Sequence, residues 1–158
     1  MIIVVVYVGM PSIATNKQAS HDYEILSAYE AGIVLDGPEV KSVRKGSISL
    51  KGSYVTAHNE ELWLLGAHIG AYAFASPKNR TDPNRSRKLL LKKNEIRHIM
   101  GKITTAGLTV VPLKVYTARN RIKIEIGIGR GKKTYEKREL LKKRSINREI
   151  RQVMKRKA

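Results

Sequence analysis

The chain has 158 residues, of which 42% are hydrophobic, and it carries a formal net charge of +18. This length is typical of one domain with an appendage, and the absence of cysteine excludes disulfides and cysteine-ligated zinc. A chain without cysteine fits a reducing compartment, so we expect a cytoplasmic protein.

The first segment, residues 1–11, opens with the apolar run MIIVVVYVGM. The run is too short to cross a bilayer and lacks the basic start of a signal peptide, so we expect no membrane partner. Its β-branched residues permit an extra edge strand. We favour a different interpretation, in which Met10 is the initiator and residues 1–9 are a start-site artefact. A polar arm would then enter the first strand directly, and the domain would begin at residue 12.

A strand and a short helix are predicted after the polar arm. Residues 23–35 place β-branched and aromatic side chains at mostly odd spacing, which is typical of a strand. Asp36 and Glu39 have the acidic spacing of a helix cap, and Pro38 suits the first helical position. This helix should end by Gly46.

Two further strands are predicted at residues 54–57 and 62–69, with a polar turn between them. Tyr54 and Trp63 lie in these strands, and we expect them to pack in the core rather than stack on bases. For Tyr23, which follows the polar arm, core packing and stacking on RNA both remain open.

Residues 76–87 contain two prolines and no other apolar residue, so they predict a solvated loop. Over residues 78–93 the net charge is +6. Arg85, Arg87 and Lys88 stand immediately before the apolar part of a predicted strand at residues 88–91. A loop that presents these cations against a rigid strand is predicted to contact RNA phosphates.

A helix at residues 92–105, closed by Gly107, precedes a final hairpin that turns at residues 118–120. Gly127, Gly129 and Gly131 are expected to mark the end of the sheet. The pattern as a whole predicts a mainly β fold with short helices. Its architecture should be a small, closed or partly open barrel of the oligonucleotide-binding type over residues 12–129.

Residues 130–158 form a basic tail with a net charge of +10. Such a concentration of cations is typical of a nucleic-acid partner, because each cation that meets a phosphate releases a counterion. Apolar residues recur at near-helical spacing, but the stripe is too narrow to fold alone in water. We therefore expect a tail that is disordered when free and helical on RNA. The alternative is a helix docked permanently on the barrel. The stripe consists of Ile146, Ile150, Val153 and Met154.

No catalytic residue, metal site or cofactor is predicted. The four histidines lack the spacing of metal ligands. Residues 127–134 imitate a phosphate loop, but Ile126 stands where its first glycine should be, and Lys133 replaces the hydroxyl residue that would follow Lys132. No nucleophile with a neighbouring base is suggested either. The sequence favours a binding protein over an enzyme.

Several motifs together resemble the SsrA-binding protein family, also called small protein B. In chain order they are TNKQASHDYEI, YEAGIVLDGPEVKSVRKG, DPNRSRKLLL, GLTVVPLKVY and GRGKKTYEKRE. The resemblance implies a barrel that binds the tRNA-like domain of transfer-messenger RNA (tmRNA, or SsrA RNA) and brings it to stalled ribosomes for trans-translation. The implied direct partners are tmRNA and the small ribosomal subunit with its rRNA. An elongation factor and alanyl-tRNA synthetase are implied only indirectly, through tmRNA.

The resemblance also implies roles for individual residues. Two positions depart from the family pattern: Glu136 replaces the more usual Asp, and Tyr135 stands where some members have His, so stacking on a ribosomal base is favoured there over acid–base chemistry. Val153 and Met154 match the hydrophobic pair near the end of the family's tail. The implied tmRNA contacts are Asn16, Lys17, Tyr23, Glu30, Leu90 and Lys123. The implied decoding-centre contacts are Gly131, Lys132, Lys133, Tyr135, Glu136, Lys137 and Arg138.

Two other classes of function remain open. One is a general protein or chaperone for structured or single-stranded RNA, which would show no preference for a tRNA-like fold. The other is a nuclease or RNA-modifying enzyme, which would need a metal ion or nucleophile that the sequence does not provide.

Overall fold

In a computed structural model, the structure describes residues 12–132 and 134–157. Strands dominate residues 12–132, as the sequence predicts. The strands are β1 (Ser12–Thr15), β2 (Tyr23–Ile33), β3 (Ile48–Ser49), β4 (Tyr54–His58), β5 (Glu61–Leu65), β6 (His68–Ile69), β7 (Arg87–Leu90), β8 (Thr109–Ala118) and β9 (Arg121–Gly131). The helices are α1 (Lys17–Asp22), α2 (Gly37–Arg44), α3 (Lys93–Ala106) and α4 (Thr134–Lys157), with a 3₁₀ turn at Pro77–Asn79.

Seven antiparallel strands form one sheet in the order β1-β8-β4-β5-β7-β2-β9. β8 also pairs with β9, so the hydrogen-bonded ladder that leaves β8 through β4 returns to β8 through β9. β1 pairs with β8 as well, and the short strands β3 and β6 pair with each other. The prediction of a mainly β fold with short helices is confirmed.

The core follows from the alternation of buried and outward side chains, which is clear for the isoleucines of β9. In β9, the side chains of Ile124, Ile126 and Ile128 are buried, whereas Lys123 and Glu125 lie on the outer face. Successive side chains of a strand point to opposite faces, so one face of β9 supplies the core and the other stays available to a ligand. Leu62, Leu64 and Leu89 contribute to the same core from β5 and β7.

Several predicted boundaries change in the structure. The strand predicted at residues 62–69 is two strands, because Gly66 has a φ of +78° and interrupts the extended backbone. β8 and β9 meet at a two-residue turn in which Arg119 and Asn120 have positive φ angles, as a tight hairpin requires.

The prediction that the three glycines mark the end of the sheet is wrong for Gly127 and Gly129. β9 runs through Gly127 and Gly129 to Gly131, and it pairs with β2 over its length. A Cβ atom at Gly129 would lie 3.0 Å from the carbonyl oxygen of Glu24. This glycine therefore permits close packing within the sheet.

The segment before β2 also differs from the predicted polar arm. It forms β1 and α1, which the sequence pattern did not indicate because both are short and mostly polar. The predicted cap of α2 is confirmed: the Asp36 side chain accepts from the Glu39 amide, and Glu39 accepts from the Asp36 amide. The proposals about residues 1–11, including the start at Met10, concern residues outside the described part of the chain.

Candidate nucleic-acid interface

Leu90 and Lys123 come together across β2. Gly32 pairs with Leu90 on one side and with Lys123 on the other. A Cβ atom on Gly32 would lie 3.2 Å from the Leu90 Cβ, so the absence of a side chain leaves room for Leu90. Leu90 remains 52% exposed. The two residues line a groove of about 270 Å³, which is completed by Gly32, Ile33, Leu35, Val40, Arg44, Asn120, Arg121 and Ile122.

This groove combines an apolar floor with positive charge. Arg44, Arg121 and Lys123 line it, and no lining residue is acidic. Arg44 is held in place by a 2.9 Å bond from Nη2 to the carbonyl oxygen of Asn120. Cations on a rigid, concave surface can bind phosphates, while the apolar floor can contact a sugar or a base.

Glu30 lies on the same outer face, two residues before Gly32 on β2. It is exposed, and one carboxylate oxygen accepts a hydrogen bond from the Tyr116 hydroxyl. Tyr116 lies on β8 and pairs with Lys123 of β9, so the hydrogen bond ties the carboxylate to the strand beside Lys123. A carboxylate repels phosphates and accepts from base amino groups or ribose hydroxyls. Glu30 can therefore select the part of an RNA that lies beside it.

Tyr23 does not belong to this groove. It pairs with Gly131, about 30 Å along β2 from Gly32. Lys132 is fixed at the same place, because its amide donates to the Asp22 carbonyl at 2.9 Å and its Nζ donates to the Ser20 carbonyl at 3.1 Å. Tyr23, Gly131 and Lys132 thus form a second region, where the tail leaves the sheet.

Asn16 is directed into the protein and does not present its amide to a ligand. It is 6% exposed, its Oδ1 accepts from the Ala19 amide, and its Nδ2 donates to the carbonyls of Leu50 and Pro112. The structure therefore supports a positioning role for Asn16, and a direct contact with RNA stays a prediction. Its side chain positions α1 and with it the exposed Lys17.

The predicted phosphate contact is wrong for Arg87. Its side chain is fully buried, and it donates from Nε to Glu39 Oε2 at 2.6 Å and from Nη1 to the Ala67 carbonyl at 3.0 Å. Arg85 also bonds to Glu39, and Lys88 pairs with Glu61 at 2.8 Å. All three cations form ion pairs with carboxylates of the protein. RNA contacts by Arg85 and Lys88, which stay partly exposed, remain a prediction.

The carboxylates of this network hold α2 against the loop before β7. Thr81 donates to Asp36, and Glu39 receives both arginines. Burial alone would raise the pKa of Asp36, but the hydrogen bonds from Thr81 and the Glu39 amide, with the nearby guanidinium charges, lower it below its ordinary value. The network fixes the helix that carries Arg44.

The tail forms α4, a helix of 24 residues and about 36 Å in length. The side chains of residues 142–156 are exposed, so the described part does not support a helix docked on the sheet. Ile146, Ile150, Val153 and Met154 are 49–71% exposed. Lys133 lies outside the described residues, and so do the side chains of Tyr135, Glu136, Lys137 and Arg138.

The aromatic predictions have different outcomes. Tyr54 is 46% exposed, so the expectation that it packs in the core is wrong. Trp63 is half-buried, and it lies on the outer face opposite Lys88. Both side chains lie on the outer face of their strands. The side chains that alternate with them, those of Val55, Leu62 and Leu64, are buried on the inner face.

Two other kinds of site are absent from the described residues. No group of His, Asp and Glu side chains could hold a metal ion. No helix among them has both the length and the apolar character needed to cross a membrane.

A family model described as SmpB protein matches residues 13–156. The chain belongs to the SmpB family. The SsrA-binding protein of Persephonella marina is 49% identical over 90% of this chain and 93% of its own length. That of Oleidesulfovibrio alaskensis is 50% identical over 90% and 92% of the two chains. A solved chain described as "tmRNA-SmpB: a journey to the center of the bacterial ribosome" is 48% identical, with a TM-score of 0.63 over 77% of this chain and 85% of that one.

Arg44 and Arg121 line the groove of this SmpB-family member, but the sequence did not predict that they belong to the site. Arg44 ends α2 and Arg121 begins β9, positions far apart in sequence. The only available signal was that each stands beside a predicted element boundary, where a side chain is exposed. Their convergence depends on the Asn120 turn, which Arg44 contacts.

Proposed function

We propose that this chain is an RNA-binding protein without catalytic activity of its own that acts in the cytoplasm. It binds the tRNA-like domain of tmRNA and brings it to stalled ribosomes for trans-translation. Membership of the SmpB family supports this function, as do the names of the relatives, which are SsrA-binding proteins. The similar solved chain is described together with tmRNA and the bacterial ribosome.

The groove between Leu90 and Lys123 is the observation that carries the proposal. Three cations surround an apolar floor without an acidic residue, so the groove suits a phosphate backbone with a sugar or base against Leu90. Glu30, beside it, accepts hydrogen bonds from base or ribose donors. This combination favours a folded RNA of defined shape over an arbitrary strand, because phosphates must avoid Glu30 while they meet Lys123.

The sheet and tail have separate roles in this proposal. The sheet is a barrel of the oligonucleotide-binding type, and the pairing of β8 with both β4 and β9 supports that architecture. The tail is disordered when free and folds as α4 in the vacant mRNA channel. Its start, with Lys132 and Tyr135, meets the rRNA of the decoding centre. The exposed apolar stripe and basic side chains of α4 support a helix that is completed by a partner.

A competition experiment tests the proposed RNA. Binding of a tmRNA tRNA-like fragment is measured at two salt concentrations against an ordinary tRNA, for the native chain and for Lys123→Gln. The native chain should prefer tmRNA, and Lys123→Gln should weaken binding several-fold while reducing the slope of log K against log salt by about 1. The matched control is Lys102→Gln on α3, an exposed lysine outside the groove, which should change the affinity little.

Two results would count against the proposal. Equal affinity for tmRNA and ordinary tRNA would favour the general RNA-binding protein or chaperone. Equal effects of Lys123→Gln and Lys102→Gln would show that net charge, rather than the groove, determines the affinity.

A further inference from the structure

Two aromatic side chains stand in the loop between β6 and β7, against the last turn of α2. The rings of Tyr72 and Phe74 meet edge to face, with centroids 5.5 Å apart. The Lys45 Nζ lies 5.0 Å from the centroid of Tyr72 and 5.4 Å from that of Phe74, and the Lys41 Nζ lies 5.3 Å from that of Tyr72. These four residues are called the aromatic patch below.

The loop that carries the patch is held at several points. The Gly70 amide donates to the Ser47 carbonyl at 2.9 Å, and the Ile69 amide donates to the Pro83 carbonyl at 3.0 Å. Further along, Thr81 is bonded to Asp36 at the start of α2. Both ends of the loop are thus tied to α2 or to the segment that follows it. The patch is a supported surface, which lowers the entropy cost of binding a ligand there.

Stability alone does not account for the patch. Lysines near the end of α2 interact favourably with the helix dipole, which explains their positions. Phe74, however, is 79% exposed, the highest value among the exposed large apolar residues of the described chain. Within residues 12–132 and 134–157, neither Lys41 nor Lys45 takes part in a salt bridge. The patch therefore offers an open ring together with ammonium groups that no carboxylate among the described residues neutralises.

The patch adjoins the groove across α2. Arg44 lines the groove, and the next residue, Lys45, lies over the two rings. Lys41 lies one turn before Lys45, which caps the end of α2. A strand of RNA that leaves the groove over the end of α2 therefore meets a cation and an aromatic face in succession. Because nucleotides also alternate charged phosphates with flat bases, this order of groups matches a nucleic-acid strand.

We propose that Phe74 stacks on an unpaired base of the RNA whose backbone lies in the groove, while Lys45 binds the adjoining phosphate. Tyr72 supports the Phe74 ring from its edge. This inference rests on the proposed function and extends its binding surface beyond the groove, to a base outside the double-helical part of the RNA. An acidic peptide would also meet the lysines, but its carboxylates supply no flat ring to cover Phe74.

Two substitutions at the same exposed position test the stacking. Phe74→Leu keeps an apolar side chain but removes the ring, and it should weaken binding of the tmRNA tRNA-like fragment about tenfold without changing the salt slope. Phe74→Trp should bind at least as tightly as the native chain. The native chain has one Trp, so the signal of the new Trp is the fluorescence of the variant minus that of the native chain. This signal should be quenched when the RNA fragment binds. The matched control is Tyr54→Leu, which removes another exposed ring outside the groove and should change the affinity less than about twofold.

The outcomes separate this inference from the proposed function. If Lys123→Gln weakens tmRNA binding but Phe74→Leu does not, the groove stands and the stacking site is refuted. The same conclusion follows if the new indole is not quenched, or if Phe74→Leu weakens only the binding of isolated small ribosomal subunits. If the native chain shows no preference for the tmRNA fragment over ordinary tRNA, the proposed function itself fails. A loss with Phe74→Leu, quenching with Phe74→Trp and no effect of Tyr54→Leu together support the site.

Discussion

The groove and the tail are both positively charged, but the groove is built on the protein core and the tail is not. In the groove, Lys123 alternates along β9 with fully buried isoleucines, and Arg44 is bonded to the turn before that strand. In α4, every side chain from residue 142 to 156 is exposed. The groove is therefore fixed by the core before any RNA arrives, whereas the tail depends on its partner for burial. This difference suits one part to recognition of a folded RNA and the other to an enclosed channel.

The largest difference between the two regions should appear in stability. Glu39→Gln removes the carboxylate charge that faces the buried Arg87, and it should lower the free energy of unfolding by about 3 kcal/mol or more. The matched control is Glu149→Gln in α4, an exposed change that should cost less than about 0.5 kcal/mol. Urea unfolding of both variants measures the difference. Similar costs would contradict the idea that only the groove region rests on a buried scaffold.

A smaller loss of stability is expected at Asn16, together with a loss of affinity. Asn16→Ala removes the cap of α1 and the hydrogen bond that Asn16 donates to the Pro112 carbonyl, so it should cost about 2 kcal/mol. Lys17→Gln should weaken tmRNA binding while stability is unchanged. Unfolding and RNA titration of each variant separate the two roles. An unchanged stability in Asn16→Ala would contradict the assignment of Asn16 as a positioning residue.

The smallest expected effect is the pH dependence of stability that comes from Asp36. Because the folded pKa of Asp36 lies below its ordinary value, its ionised form stabilises the fold above about pH 4. This contribution is lost as the pH falls through the folded pKa. Asp36→Asn should therefore reduce stability by less than about 1 kcal/mol at neutral pH, and the difference should shrink below about pH 4. Unfolding curves between pH 2 and 7 would contradict this if the difference grew on acidification.

The sequence predicted most of the sheet because the alternation of β9 and the cap of α2 are local signals. Asp36 and Glu39 stand three residues apart, and both cap bonds form. The glycines of β9 were misinterpreted because their role depends on β2, which approaches them from far away in sequence. β1 and α1 were not predicted for a related reason. The Asn16 side chain that fixes them bonds to Leu50 and Pro112, which are far away in sequence.

The site was harder to predict than the fold. Motif resemblance identified Leu90 and Lys123, and the pairing of both with Gly32 brings them into one groove. Charge alone misled at Arg87, because a basic run cannot show which cation meets a carboxylate such as Glu39 inside the protein. Only the folded chain reveals that distinction.

In this account the sheet recognises tmRNA, and the tail is needed for the later step of peptide tagging on the ribosome. Val153→Asp with Met154→Asp tests this separation most directly. These changes place two carboxylates in the exposed apolar stripe of α4. Ser145→Asp with Gln152→Asp is the matched control, because it adds the same charge on the opposite face of the helix. Each variant is bound to alanylated tmRNA, and peptide tagging on stalled ribosomes is then measured.

The account predicts that both double variants bind tmRNA within about twofold of the native affinity, whereas tagging falls at least about tenfold only in Val153→Asp with Met154→Asp. Full tagging by that variant, or an equal loss in both, would contradict a functional stripe and leave charge as the contribution of the tail.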